Sequence, residues 1–311
     1  MLKDLTIKGI HSMQYHSLRL VAALASVTLA VPAMAQDTSS EDDEVNVSQG
    51  PVDMSETVYD GDYLSVGVGA AVSSSYTGSD DYVVSVLPFA QGSLGGIGIS
   101  PRAGGLKLDF IPDGEGKVDL SLGVAGRLRN NRTGQIEDEI VKQYGELDGA
   151  IEVGPSVGVS INQVLNPYDS LSFSTDIMLD AAGAHEGLVV SPGISYFTPL
   201  SRGMAGALSI GAEWADEDFH DYNFGVDPSA YIGPGVSPLT PFDPDGGGFT
   251  NVGANLFLGI DLDGDLANGG LALVLLGGYS RLLGDAADTP FTTERGSKDQ
   301  FTGAVGLAYT F

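Results

Sequence analysis

The chain has no cysteine, which excludes disulfide frameworks and thiolate sites and fits an exported protein that passes an oxidising periplasm without staples. Basic residues are scarce: 14 Lys and Arg stand against 41 Asp and Glu. That balance argues against nucleic acid as a partner, because phosphate neutralisation needs clustered cations. On charge alone a soluble acidic surface stays open. No apolar run after residue 35 reaches the roughly 20 residues that a transmembrane helix needs. If this chain enters a bilayer, it does so as a closed barrel, since only helices and closed barrels satisfy every backbone group in lipid.

What is present begins with an export signal. Lys3, Lys8 and Arg19 make a basic leader, Leu20 to Val31 is a short apolar run, and Ala33-Met34-Ala35 supplies the small-x-small cleavage pattern. Residues 1–35 are therefore expected to be a signal peptide cut before Gln36. The stretch before Met13 is long for a leader, so Met13 is an alternative start. Losing residues 1–35 removes three basic residues and one acidic one from those totals, leaving 11 positive against 40 negative. Residues 36–60 hold Asp37, Glu41, Asp42, Asp43, Glu44, Asp53, Glu56 and Asp60 with few bulky side chains, and read as an acidic, flexible periplasmic tail.

From residue 61 to 311 the governing signal is alternation, because successive strand side chains point to opposite faces. Val118, Leu120, Leu122 and Val124 oppose Asp119, Ser121, Gly123, Ala125 and Arg127. Ile151, Val153, Val157 and Val159 oppose Glu152, Gly154, Ser156, Gly158 and Ser160, and the same split recurs over 170–181 and 203–214. One face is apolar and the other tiny or polar with charges of both signs, the pattern of a membrane barrel whose apolar face meets lipid. A soluble sandwich would also alternate, but with more Lys and Glu outside.

The fold class expected is all-β, a transmembrane antiparallel barrel of about twelve strands, with 10 to 14 allowed. Strands are placed at 62–72, 82–91, 95–101, 105–111, 117–128, 149–161, 170–181, 187–197, 203–214, 248–262, 269–282 and 300–311. The pair at 95–111 could instead be one bulged strand. Long connections at 73–81, 129–148, 215–247 and 283–299 alternate with short ones at 112–116, 162–169, 198–202 and 263–268, as expected for surface loops and periplasmic turns. Those at 129–148 and 215–247 are polar and free of apolar periodicity, as surface loops are, and only the outer turns around Arg102 and at 182–186 are brief. Tyr63, Tyr82, Phe110, Tyr168, Tyr196, Phe197, Trp214, Phe249 and Tyr279 fall near strand ends, where interfacial girdles belong. The chain closes on a strand ending Tyr309-Thr310-Phe311, like the recognition signature of proteins inserted by the outer-membrane assembly machinery.

Chemistry is sparse. Two histidines lie beyond residue 35: His185 in a tight connection, read as a turn residue, and His220 in Asp216-Glu217-Asp218-Phe219-His220-Asp221, read as a solvated acidic loop, with a divalent-cation site as the alternative. Asp261-Leu262-Asp263-Gly264-Asp265 departs from the EF-hand pattern, with Gly264 fourth and Ala272 twelfth, and reads as a hairpin turn. No nucleophile constellation, zinc helix or phosphate loop is found, so no catalytic, cofactor or metal residue is assigned. Lys107, Asp109, Asp119, Arg127, Glu152, Asp176, Asp180 and Glu213 fall on lumen faces, where a mixed-sign network either closes the bore or leaves a narrow aqueous path.

Several segments resemble the MltA-interacting protein (MipA/OmpV) family: Tyr76-Thr77-Gly78-Ser79-Asp80-Asp81-Tyr82, the His185-Glu186-Gly187 turn, Tyr222 followed by Gly225-Val226, and Arg281-Leu282-Leu283-Gly284-Asp285-Ala286-Ala287-Asp288-Thr289-Pro290. The likeness runs over nearly the whole chain beyond the leader. Thr289 departs from an expected Ser, and the tail at 36–60 is not a shared feature. The resemblance implies an outer-membrane protein of a Gram-negative cell, non-enzymatic and without cofactor, that scaffolds a lytic murein transglycosylase together with a murein synthase in cell-wall growth. A small diffusion channel or solute-uptake barrel is the alternative.

Overall fold

The computed structural model describes residues 57–311 apart from 113 and 115. The signal peptide expected at 1–35 and the acidic tail as far as residue 56 lie outside the described residues. Residues 57–60, assigned to the flexible tail, instead form a turn in which the Val58 N–H donates to the Ala267 carbonyl at 2.9 Å. Tyr59 also stacks edge-on against Tyr63. Val58 is half-buried here, while Tyr59 stays 39% exposed.

Twelve strands follow: β1 Tyr63–Ser74, β2 Tyr82–Leu94, β3 Ile97–Arg102, β4 Gly105–Asp109, β5 Val118–Arg129, β6 Ala150–Asn162, β7 Ser170–Asp180, β8 Leu188–Ser201, β9 Met204–Ala215, β10 Gly248–Asp261, β11 Gly270–Leu282 and β12 Asp299–Thr310. Each pairs antiparallel with its chain neighbours, and β12 returns to β1 to close the barrel. The alternation is expressed as exposure: Leu120 and Leu122 are 62% and 51% exposed on the outer face, while Ala125, Ser156 and Asp176 are buried inside. Val68, Val86, Leu179, Ile210, Leu256 and Val305 extend this apolar exterior around the ring. Phe197 departs from the girdle expectation, because its register partner Ala207 shares the inner face with Ser195 and Ser209.

The residues 95–111 form two strands and a hairpin. Gly95 and Gly96 both have positive φ, at 59° and 79°, as a two-residue type I′ hairpin turn requires. Other short turns are held by carboxylates. Asp261 Oδ1 accepts the N–H groups of Asp263, Gly264 and Asp265 at 3.0, 2.8 and 3.0 Å, so Asp261–Asp265 is a hairpin turn.

The long connections are surface loops in part, with Ile232 and Val236 78% and 89% exposed, but much of their length is buried. They carry three short helices, α1 Glu217–Phe224, α2 Gly284–Asp288 and α3 Pro290–Thr293, and pack over one end of the barrel. One buried cluster joins Val189, Ala215, Phe219, Phe224, Leu282, Ala286 and Ala287. A second joins Tyr76, Ile136, Val141, Val226, Leu239 and Phe291, with Phe242 packed against both. The physical reason is the inverted barrel: with apolar strand residues facing outward, the apolar residues of the connections bury against one another above the bore.

Candidate functional site

Beneath that cap, charged side chains from distant strands meet across the bore. Arg127 and Arg129 lie two residues apart on β5 and so share its inner face. Glu152 stands opposite Arg127 in the β5–β6 register. Glu213 comes from β9, beyond three intervening strands. Arg127 Nε donates to Glu152, and its Nη2 reaches Glu213 at 2.9 Å. Arg129 Nε donates to Glu152 at 2.5 Å and its Nη2 to Glu213 at 2.7 Å. Two guanidinium groups and two carboxylates thus form a layer that bridges β5 and β6 to β9 through the lumen.

His185 completes it. The Gly187 N–H donates to Nδ1 at 3.0 Å, so the neutral ring carries its proton on Nε2 and donates it to Glu152 at 3.1 Å. Thr250 donates to Glu213 at 3.2 Å, and the Phe219 ring of α1 covers the Arg129 guanidinium at 4.8 Å. Glu152 itself is fully buried.

A lumen cavity of about 400 Å³ lies beside this layer, lined by Arg102, Asp176, Asn251, Asn255, Ser280 and Thr302 among others. Arg102 Nε donates to Asp176 at 2.7 Å, and Ser156 donates to the other oxygen of that carboxylate at 2.5 Å.

The cap is fastened by polar contacts as well. Asp216 caps α1, and His220 is buried, with Nδ1 2.7 Å from Asp285 and Nε2 3.3 Å from the Gly248 carbonyl. The reading of 216–221 as a solvated loop is therefore corrected. Phe219 and Phe224 supply apolar surface on a helix whose other residues are polar. Among the described residues no three His, Cys, Asp or Glu are grouped to hold a metal. Asp138 receives two hydrogen bonds from Arg295, at 2.9 and 2.6 Å. Burial pushes its carboxyl up, but Arg295 and the N–H groups of Val141 and Ile140 outweigh this and hold it below the ordinary Asp range. Arg132 lies 4.1 Å from the centre of the Phe291 ring, and burial lowers its guanidinium to about 10.

The eight charged residues expected in the lumen divide by task. Arg127, Glu152 and Glu213 meet in the bridging layer. Lys107 pairs with Asp109 at 2.9 Å and also donates to Ser121. Asp176 holds Arg102, Asp119 accepts from Asn162 at 2.5 Å, and Asp180 caps the turn at 182–186. Sequence reading missed Arg129, Arg102 and His185. Arg129 carries a signal, its two-residue spacing from Arg127, but it lies one residue beyond the strand expected at 117–128. Arg102 and His185 lie at a hairpin tip and in a tight connection, where alternation says nothing.

The family model described as MltA-interacting protein MipA matches residues 66–311. Among solved structures the chain is similar to an outer membrane channel from Pseudomonas putida F1, at 15% identity and TM-score 0.38, covering 87% of this chain and 100% of that one. It is also similar to the Ralstonia pickettii toluene transporter TbuX, at 9% identity and TM-score 0.31, covering 84% and 93%. None of the curated proteins compared with it matches.

Proposed function

The chain belongs to the MltA-interacting protein MipA family of outer-membrane barrels, and from that premise we propose that it is a non-enzymatic scaffold for murein-remodelling enzymes rather than an open pore. The observation that carries this reading is the bridging layer. Arg127 and Arg129 tie β5 and β6 to β9 across the bore, under a cap with two apolar clusters. A solute crossing the β5–β9 side of the bore would have to break buried ion pairs, which is costly when one partner is lost. Partners then have the opposite, short-turn end of the barrel to bind, together with the acidic segment 36–60. A periplasmic lytic murein transglycosylase is the partner class that the family's description supplies.

Two measurements test this. In planar bilayers the purified protein should show no steady conductance at neutral pH. In envelopes it should capture a lytic transglycosylase, and deleting residues 38–58 should weaken capture in a salt-sensitive way, because exposed charges are screened beyond about 8 to 10 Å. Steady conductance without periplasmic capture would overturn the scaffold in favour of a small diffusion channel, a reading that the cavity of about 400 Å³ keeps in view.

A further inference from the structure

The barrel closes through one narrow seam. β2 pairs with β1 from Tyr82 to Ser93, but meets β3 only at Gly92↔Ile99, Ser93↔Gly98 and Leu94↔Ile97. From Tyr82 to Gln91 its second edge has no strand partner among the described residues. Pro88, which cannot donate to a ladder, suits such an edge. Beyond the seam, Arg102 and Ala103 at the β3–β4 hairpin tip line the lumen cavity together with residues of β7 to β12. Unpaired backbone at membrane depth is tolerated where it borders a water-filled cavity. The seam therefore sets the bilayer beside the lumen.

The inner wall next to this edge is apolar in a particular order. Register pairs share a face, so one row across the wall reads Leu87 on β2, Gly69 on β1, Gly306 on β12 and Val274 on β11. The adjacent row reads Ser85, Ala71, Ala304, Leu276 and, on β10, Phe257. Small residues thus make a floor two strands wide, about 10 Å at the usual strand spacing, between Leu87 on one side and Val274, Leu276 and Phe257 on the other. Two residues further along the same inner faces of β10, β11 and β12 stand Asn255, Gly278 and Thr302, which line the polar cavity. The apolar trough runs directly into a hydrogen-bonding chamber. That chamber holds both charge signs, Arg102 with Asp176 and Arg127 with Glu213.

We propose that the seam, the trough and the cavity form a binding site for a single-chain amphiphile. Its acyl chain lies over Gly69 and Gly306, its zwitterionic head group sits in the cavity, and it enters from the bilayer past the free edge of β2. This does not rest on the scaffold reading, since a side entrance needs no open bore.

The test uses the full barrel in phosphatidylcholine vesicles containing lysophosphatidylcholine with a diazirine on its acyl chain. After irradiation, labelled residues are mapped by mass spectrometry. Inner-face label on Leu87, Val274, Leu276 or Phe257 is expected, alongside outer-face label on Val84 and Val86. The chain has no cysteine, so the double variant Gln91→Cys/Ser100→Cys places a lone pair one register step beyond Gly92↔Ile99. Oxidation should stitch the seam and cut inner labelling severalfold while outer labelling persists, and reduction of the same sample should restore it. Reduced protein thus controls for folding. Label confined to the outer face would overturn the site. Inner labelling unchanged by the stitch would overturn the seam as its entrance. Disulfide-linked dimers of a Val84→Cys variant, with the inner face unlabelled, would assign the free edge to a second copy of the chain instead.

Discussion

Replacing Glu152 by Gln keeps its shape but removes one of the two carboxylates that neutralise Arg127 and Arg129. Glu152 is fully buried and accepts from both guanidinium groups and from His185. Removing one partner of a buried ion pair costs about 3 to 5 kcal/mol, mostly because the other charge is stranded. Here Glu213 remains within 2.9 and 2.7 Å of both guanidinium groups, which places Glu152→Gln near the low end, at about 3 kcal/mol. Urea titration of the barrel in lipid vesicles reads this, with Trp214, the one tryptophan, as the fluorophore. The paired variant Glu152→Gln/Arg129→Gln restores the charge count and should recover part of the loss. A cost below about 1 kcal/mol for the single variant, the level of exposed pairs, would refute the view that the layer is desolvated and bridges the bore. So would a double variant that simply adds two losses.

Leu122→Arg should cost about 2 to 4 kcal/mol in the same assay, because Leu122 faces hydrocarbon, whereas Ser121→Arg faces the lumen beside Lys107 and should be milder; a reversed order would invert the assigned faces. Tags inserted at Gly134 and Gly246, where no neighbour crowds the backbone, should be labelled on intact cells, and labelling only after permeabilisation would reverse the barrel's orientation. The Asp138–Arg295 clasp should depend on pH in one direction. A carboxyl held low in the folded cap contributes stability that is present above the ordinary Asp value of 3.8 and is lost as pH falls through its lowered folded value. Amide exchange over 136–141 should therefore accelerate only below that value, while Asp138→Asn should accelerate it at neutral pH and remove the acid step.

The strands were legible because a barrel in lipid imposes the same rule at every turn. Leu120 and Leu122 must face out, Ser121 and Gly123 must face in, and the period of two survives wherever the wall is intact. The Gly95-Gly96 turn was legible as turn chemistry, though not as a choice between a hairpin and a bulge. The cap was not legible. Phe219 and Phe224 are five apart, Ile136 and Val141 likewise, and the residues that meet them come from other connections, so no single segment carries an apolar period. The bridging layer failed for a different reason. Which inward charges meet is set by the stagger of strands around the ring, and pairing Arg127 with Glu213 on β9 needs that stagger, not the alternation.

Cap and layer are one unit, and Gly187 shows how. A Cβ there would sit 2.4 Å from the Asp216 carboxylate and 2.8 Å from the Phe219 nitrogen, so only glycine lets the 181–187 connection lie against the first turn of α1. The Gly187 N–H fixes the tautomer of His185, which donates to Glu152, while Phe219 of that same helix covers Arg129. The helix therefore touches the layer from above through an aromatic ring and from the side through an imidazole. Opening the bore by moving α1 would uncover Arg129 and release His185 from Glu152 together. On the scaffold proposal, that coupling keeps the capped end shut while the opposite end binds a partner.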